Sequence, residues 1–276
     1  MMIRLFLAVL FLFNCTGRKP QGPEEQKAQP QHFECRLYDG LPVAVGTSVV
    51  AELEKNHRRI LDDLEVANLP VITVEIWANN DNFLAAMERN IGRRYPGATG
   101  YVQYEGVYVL NTGDAPHAAV HEFAHVVSLH VNNRIANNPR WLWEAVALYE
   151  AGDWIDPKRL SYMVSGNYPT LAELNTDYNS SDHKIYGIGY TLAEFVVHDW
   201  SIHSLILLIR TNGNVSTVLG LSEAQFEGKW YQFVKTKYLI INRQQIVFSS
   251  KYLWRNFFGD RWNNKILNSL PCWGWL

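Results

Sequence analysis

Apolar and polar positions along residues 46–239 fall into runs of two kinds, and their order predicts a mixed chain. Helical runs are expected over 46–66 and 80–93, with strand-like segments at VITVEIW (71–77), 99–103 and 106–111. A helix from about 115 to 131 follows, opened by Asp114, Ala115 and Pro116, which suit an N-cap and first turn. The Asn-rich loop 132–139 ends at Pro139, and Trp141 to Ala151, WLWEAVALYEA, reads as the next helix. Further helices are expected at 155–164, 169–175, 186–200, 202–211 and 222–239, with Asn212-Gly213-Asn214 as a break. The fold class is therefore α+β, a small N-terminal sheet followed by a mainly helical C-terminal half. The strand at 106–111 directly precedes the 115–131 helix. An exposed edge there could pair with an extended peptide through backbone hydrogen bonds; the alternative is an interior hairpin strand.

Composition changes this picture only slightly. With 47% hydrophobic and 19% charged residues the chain is ordinary for a globular protein, and 33–240 suffices for one domain with a proper core. The net charge of −2, with no basic face and no Gly-rich phosphate loop, excludes nucleic acid as an expected partner. Aromatic content of 13% is high, and the ten Trp concentrate in and after the 115–151 helices.

The chemistry lies in those two helices. His121-Glu122-Phe123-Ala124-His125 places two imidazoles at i and i+4, on one face of a helix, where both can address one metal ion. Glu122 lies about 100° around the helix, beside that ion, where it can handle a water. The flanking Ala119, Val120, Ala124, Val127 and Leu129 are apolar, so the imidazoles need a partner to be buried. Glu144, between Trp143 and Ala145, is costly to bury unless paired or metal-bound, and supplies a third ligand. Two His and one carboxylate, with the fourth position open, is the donor set of a catalytic zinc site. The bland alternative has Glu144 and Glu150 as solvated helix charges and the His pair as core residues bonded to carbonyls.

HEFAH, eighteen residues, then Glu144 within PRWLWEAVALYEAG resembles the gluzincin metallopeptidases, most closely the small bacterial "peptidase MA-like" domains. Pro139, Trp141, Leu142, Glu144, Ala147 and Tyr149 match that pattern, while Ala145 stands where Gly is usual. Weaker likeness extends from VITVEIW through YGIGYTLAEFVV (186–197) to about residue 239. The resemblance implies a zincin-like fold, one zinc ion on His121, His125 and Glu144, and Glu122 as general base toward a peptide or protein substrate. It also implies a later Tyr or His that steadies the tetrahedral oxyanion, for which Tyr186 and Tyr190 are candidates, with His183 behind them. The Asp expected four residues after the Glu ligand, to orient a His, is replaced by Leu148. Ala86-Met87-Glu88-Arg89-Asn90 resembles the aminopeptidase substrate grip only superficially, which favours an endopeptidase, or an enzyme with a different exopeptidase grip, over an aminopeptidase.

At the N-terminus, Met1-Met2-Ile3-Arg4 precedes nine apolar residues and then Asn14-Cys15, the pattern of a secretory signal over 1–15. Leu12-x-x-Cys15 resembles a bacterial lipobox, although Phe13 and Asn14 depart from it; lipidation of Cys15, simple cleavage and an uncleaved anchor all stay open. Residues 16–32 are polar and Pro-rich, a flexible tether. This predicts export to the periplasm or cell surface, with membrane attachment as an outer-membrane lipoprotein if Cys15 is lipidated. Cys35 and Cys272 either form one disulfide or remain thiols. The basic, aromatic extension 241–276 either packs on the domain or serves as a membrane-surface or partner segment.

Three functions compete. The first is an exported zinc endopeptidase. The second is a non-catalytic zinc-binding or surface-interaction protein on the same scaffold, and the third is a zinc hydrolase of a non-protein amide such as a cell-wall peptide. Retention of Glu122 favours catalysis, because a metal store needs no base there.

Overall fold

The computed structural model describes residues 32–175 and 183–240. The leader, Cys15, all but the last residue of the tether, Cys272 and the 241–276 extension lie outside them. Four strands form one sheet: β1 (Phe33–Leu37), β2 (Ile72–Trp77), β3 (Gly100–Gln103) and β4 (Gly106–Leu110). Their order is β1-β2-β4-β3, with β1, β2 and β4 parallel and β3 antiparallel to β4. The sequence pattern does not single out β1, because FECRL alternates apolar and charged residues over only five positions.

Of the two readings of the strand after residue 105, the interior hairpin strand holds and the exposed edge does not. β4 is bonded on both sides, Val74 to Val107 and Val102 to Val107, so it has no free edge. The exposed edge beside the site belongs to β3.

Each face of the sheet is covered. Ile72, Val74 and Ile76 of β2 and Val107 and Val109 of β4 point to one side and are fully buried. That side packs on α1 (Val43–Asp63) and α3 (Ala115–Val131), through Val49, Leu53, Ile60, Val120 and Phe123. The opposite side, with Trp77, Tyr101 and Leu110, carries α2 (Asn80–Ile91) through Phe83 and Met87. This α2 contains the Ala86–Asn90 sequence, in a helix as its pattern predicts. Its N-cap is Asn79, whose side chain accepts from Asn82 N at 3.0 Å. Asp114 also occupies an N-cap position, on α3, but its side chain makes no capping bond, so Pro116 alone shapes that first turn.

The helical half follows α4 (Arg140–Ala151). Residues 155–164 do not form one helix: a 3₁₀ turn (Pro157–Arg159) and a single turn, α5 (Ser161–Val164), replace it. Next come α6 (Leu171–Leu174), α7 (Lys184–Asp199), α8 (Ile202–Arg210), α9 (Val215–Leu219) and α10 (Glu223–Val234), which passes into a π-helical turn, Lys235–Leu239. Both α4 and α7 join the main core, where Trp141, Leu142, Ile188, Leu192 and Trp230 are buried. Among the described residues no single helix is long and apolar enough to cross a membrane.

Candidate metal centre

α3 presents His121 and His125 on one face, and the apolar residues around them bury it. The chain then has to turn back. Asn132 Nδ2 donates to the Ile209 carbonyl at 2.7 Å, and Asn212 Nδ2 donates to the Asn138 carbonyl at 2.7 Å, so both ends of the loop are tied to the end of α8. Trp141 N is held by Asn175 Oδ1 at 3.0 Å, which fixes the start of α4. This return lays α4 against α3 and brings Glu144 to the imidazoles.

The three residues converge. Glu144 Oε2 lies 3.4 Å from His121 Nε2 and 3.7 Å from His125 Nε2, and one atom from each residue falls within 4.8 Å of the others. A tetrahedral ion with bonds of about 2.0–2.1 Å separates neighbouring ligand atoms by roughly 3.3 Å, so these spacings suit one shared ion. Glu144 is 2% and His125 3% exposed, so neither is solvated. Among the described residues His125 Nδ1 is buried without a hydrogen-bond partner, its ring stacked on Trp143 at 3.9 Å. Two imidazoles and a carboxylate converging in this way fit a borderline divalent metal better than a hard cation.

The electrostatics also call for a positive charge. Burial opposes ionisation of Glu144, yet its contacts with His121 and His125 outweigh that and hold it well below the usual carboxylate range. Burial likewise works against a charged His121, but bonds to Asp153 and Glu144 win and push it up to about 10. Burial lowers His125 to about 4. These contacts favour a proton on His121, which opposes the charge of Glu144 and Asp153, and a metal ion held by the same residues would supply positive charge in its place.

Asp153 is the part sequence reasoning missed. α4 ends at Gly152, whose left-handed φ of 76° any side chain would resist, and Asp153 N then donates back to Leu148 O at 2.8 Å. The turn delivers Asp153 Oδ2 to 3.2 Å from His121 Nδ1, while Oδ1 makes a short bond with His117 Nε2. The orienting carboxylate thus comes from beyond the helix, nine positions after Glu144, and not from position 148. A signal existed in the sequence: His117, His121 and His125 recur every fourth residue, and an Asp follows the Gly that ends α4.

Glu122 is 9% exposed, and burial raises its carboxyl to about 8. It lies against the backbone of Gly100, where any Cβ would collide with the carboxylate. This glycine lets the β3 edge approach α3 closely at Glu122. Tyr186, on the first turns of α7, donates its hydroxyl to Glu144 Oε1 at 3.4 Å, with the Arg140 guanidinium 5.8 Å from its ring centre. Burial raises its phenol far above the ordinary range. Tyr190 does not reach the site. One turn further along α7, it packs on Tyr149 with ring centres 5.3 Å apart and takes no part in the cleft wall. His183 does line the cleft, its ring 6.2 Å from that of Tyr186.

An open cleft of about 1120 Å³ runs over these groups, walled on one side by residues 99–102 and floored by His121, Glu122 and Glu144. Cys35, in β1, is a half-buried free thiol among the described residues. Searched against protein-family models and against curated proteins, the chain matches none.

Proposed function

We propose that this chain is a zinc-dependent peptidase of the zincin type, close to the gluzincins, acting on peptide bonds as an endopeptidase. The observation that carries the reading is the convergence of His121, His125 and Glu144 beneath a cleft whose floor also holds Glu122. His121, His125 and Glu144 would hold the ion. When bound, zinc would polarise the scissile carbonyl and lower the pKa of a water to about 7.

The chain's own residues supply the rest. Glu122, whose buried carboxyl is raised to about 8, holds a proton readily, and the charge of a bound metal would return it toward the carboxylate that a general base needs. Its carboxylate takes the proton from water and passes it to the leaving amine. Tyr186, kept neutral by burial, retains a proton to donate, and its hydroxyl, 3.4 Å from Glu144 Oε1, is near enough to the proposed ion to turn toward a developing oxyanion. Asp153 holds the His121 ring in the tautomer that leaves Nε2 free for the metal. The cleft is open along the β3 edge, whose backbone can pair with an extended chain, and this supports internal cleavage over trimming from an end. The leader-like start supports action outside the cytoplasm, in the periplasm or at the cell surface.

The test compares zinc content and casein cleavage for the wild-type chain and Glu122→Gln. Both should carry about one zinc, and the variant should lose on the order of 10²–10⁴-fold in turnover. Equal turnover in the two would exclude this mechanism. Zinc bound without turnover in either would favour a non-catalytic metal-binding protein.

A further inference from the structure

Seven large hydrophobic residues are exposed among those described: Val43, Val71, Tyr104, Trp154, Ile155, Val164 and Ile240. Only Trp154 and Ile155 line the cleft, and they are adjacent in sequence. Trp154 is 46% and Ile155 38% exposed, a large apolar area to leave in water beside a polar centre. Leu148 of α4, buried, lines the same cleft.

The pair is held in place. Trp154 N donates to the Gly152 carbonyl at 2.8 Å, and after Ile155 the Asp156 side chain accepts from Lys158 N at 3.0 Å. Behind the indole stands Tyr238, ring centres 5.9 Å apart, in the π-helical turn 235–239. The Tyr238 hydroxyl donates to Glu194 Oε2, and Lys237 Nζ donates to Glu194 Oε1 at 2.9 Å. An exposed indole braced from behind is preorganised for contact, because little rotamer freedom remains to be lost on binding. The pair shares its cleft with the metal centre, whose His121, Glu144 and Asp153 line the same space.

We infer that Trp154, Ile155 and Leu148 form a subsite that takes one bulky apolar side chain, aromatic or branched aliphatic, of a peptide lying across the metal centre. This deepens the peptidase reading and rests on it. Polar groups of the cleft, such as Thr99, Thr112 and Asp114, lie outside this patch, so selectivity concentrates on one substrate residue.

The test measures binding, so it stands apart from turnover. Full-length Glu122→Gln protein, zinc-loaded and then chelated, is titrated with capped pentapeptides acetyl-Ala-Ala-X-Ala-Ala-amide, where X is Ala, Leu, Phe or Asp. Leu and Phe peptides should bind about tenfold tighter than the Ala peptide in both states, with Asp weakest. Adding Trp154→Ala or Ile155→Ser should reduce that preference to about twofold, with unchanged zinc content and melting temperature. No preference in the parent, or a preference surviving both substitutions, overturns the subsite. So does a shift from dimer to monomer on Trp154→Ala in sedimentation, which would assign the patch to a second copy. If the preference is present but the Glu122-bearing chain cleaves nothing, the peptidase reading fails and the subsite stands.

Discussion

Asp153 Oδ2 sits 3.2 Å from His121 Nδ1, so the carboxylate that follows α4 fixes a ring on α3. An imidazole oriented in this way is a stronger metal ligand, because its far nitrogen is aimed and made more basic. Replacing Asp153 by Ala should weaken zinc binding about 10–100-fold, read by competition with a chromophoric chelator. Asn, which retains a hydrogen-bonding oxygen, should recover part of the loss. Unchanged affinity in both variants would remove Asp153 from the site.

Gly100 makes room for the Glu122 carboxylate, and a methyl group there has nowhere to go without displacing it. Gly100→Ala should therefore cut turnover by about 100-fold, since misplacing a catalytic group by roughly 1 Å costs that much. Zinc content should not change, because the atoms nearest a Cβ at position 100 all belong to Glu122. Turnover within about twofold of the parent would show that Glu122 tolerates displacement.

Tyr186 and Tyr190 lie one helical turn apart, and only the first reaches Glu144. Tyr186→Phe should lower kcat by about 10²-fold with little change in KM, the pattern of an interaction made mainly in the transition state. Tyr190→Phe should stay within about twofold. Equal losses in the two variants would contradict the geometry.

Glu150 is buried on α4, with Arg59 Nη1 from α1 2.7 Å from its Oε2. Burial, reinforced by Asp63, nevertheless raises its carboxyl from 4.5 to about 7. The fold thus prefers the neutral form: stability from this group is full below pH 4.5 and is lost as pH rises toward about 7. Glu150→Gln mimics the neutral acid and should abolish that loss, gaining up to about 3 kcal/mol at pH 8 relative to the parent. Denaturant midpoints across pH 4–8 check this. Parallel curves for parent and variant would mean that Arg59 fully compensates the buried charge.

The residue pattern alone carried much of the molecule. The i, i+4 spacing of His121 and His125 is a local property of any helix, and Glu144 on the next apolar helix could be matched to them without knowing the loop's path. Burial of both Glu144 and Glu150 departs from the bland expectation of solvated charges. Most helix positions followed the same local logic, with the exception of 155–164, where Pro157 breaks the run.

Other features depend on contacts between residues distant in sequence, which no periodicity encodes. The pairing of β3 with β4, and of β4 with β2, decides that the edge beside the site is at 100–103, because hydrogen-bond partners in a sheet are chosen by topology. Asp153 reaches His121 only because Gly152 reverses the chain at the end of α4. Tyr186 is admitted and Tyr190 turned away by where α7 crosses α4. Sequence determined which side chains can bear a metal and a proton; the tertiary structure determined which of them meet, since convergence is a property of packed elements in space.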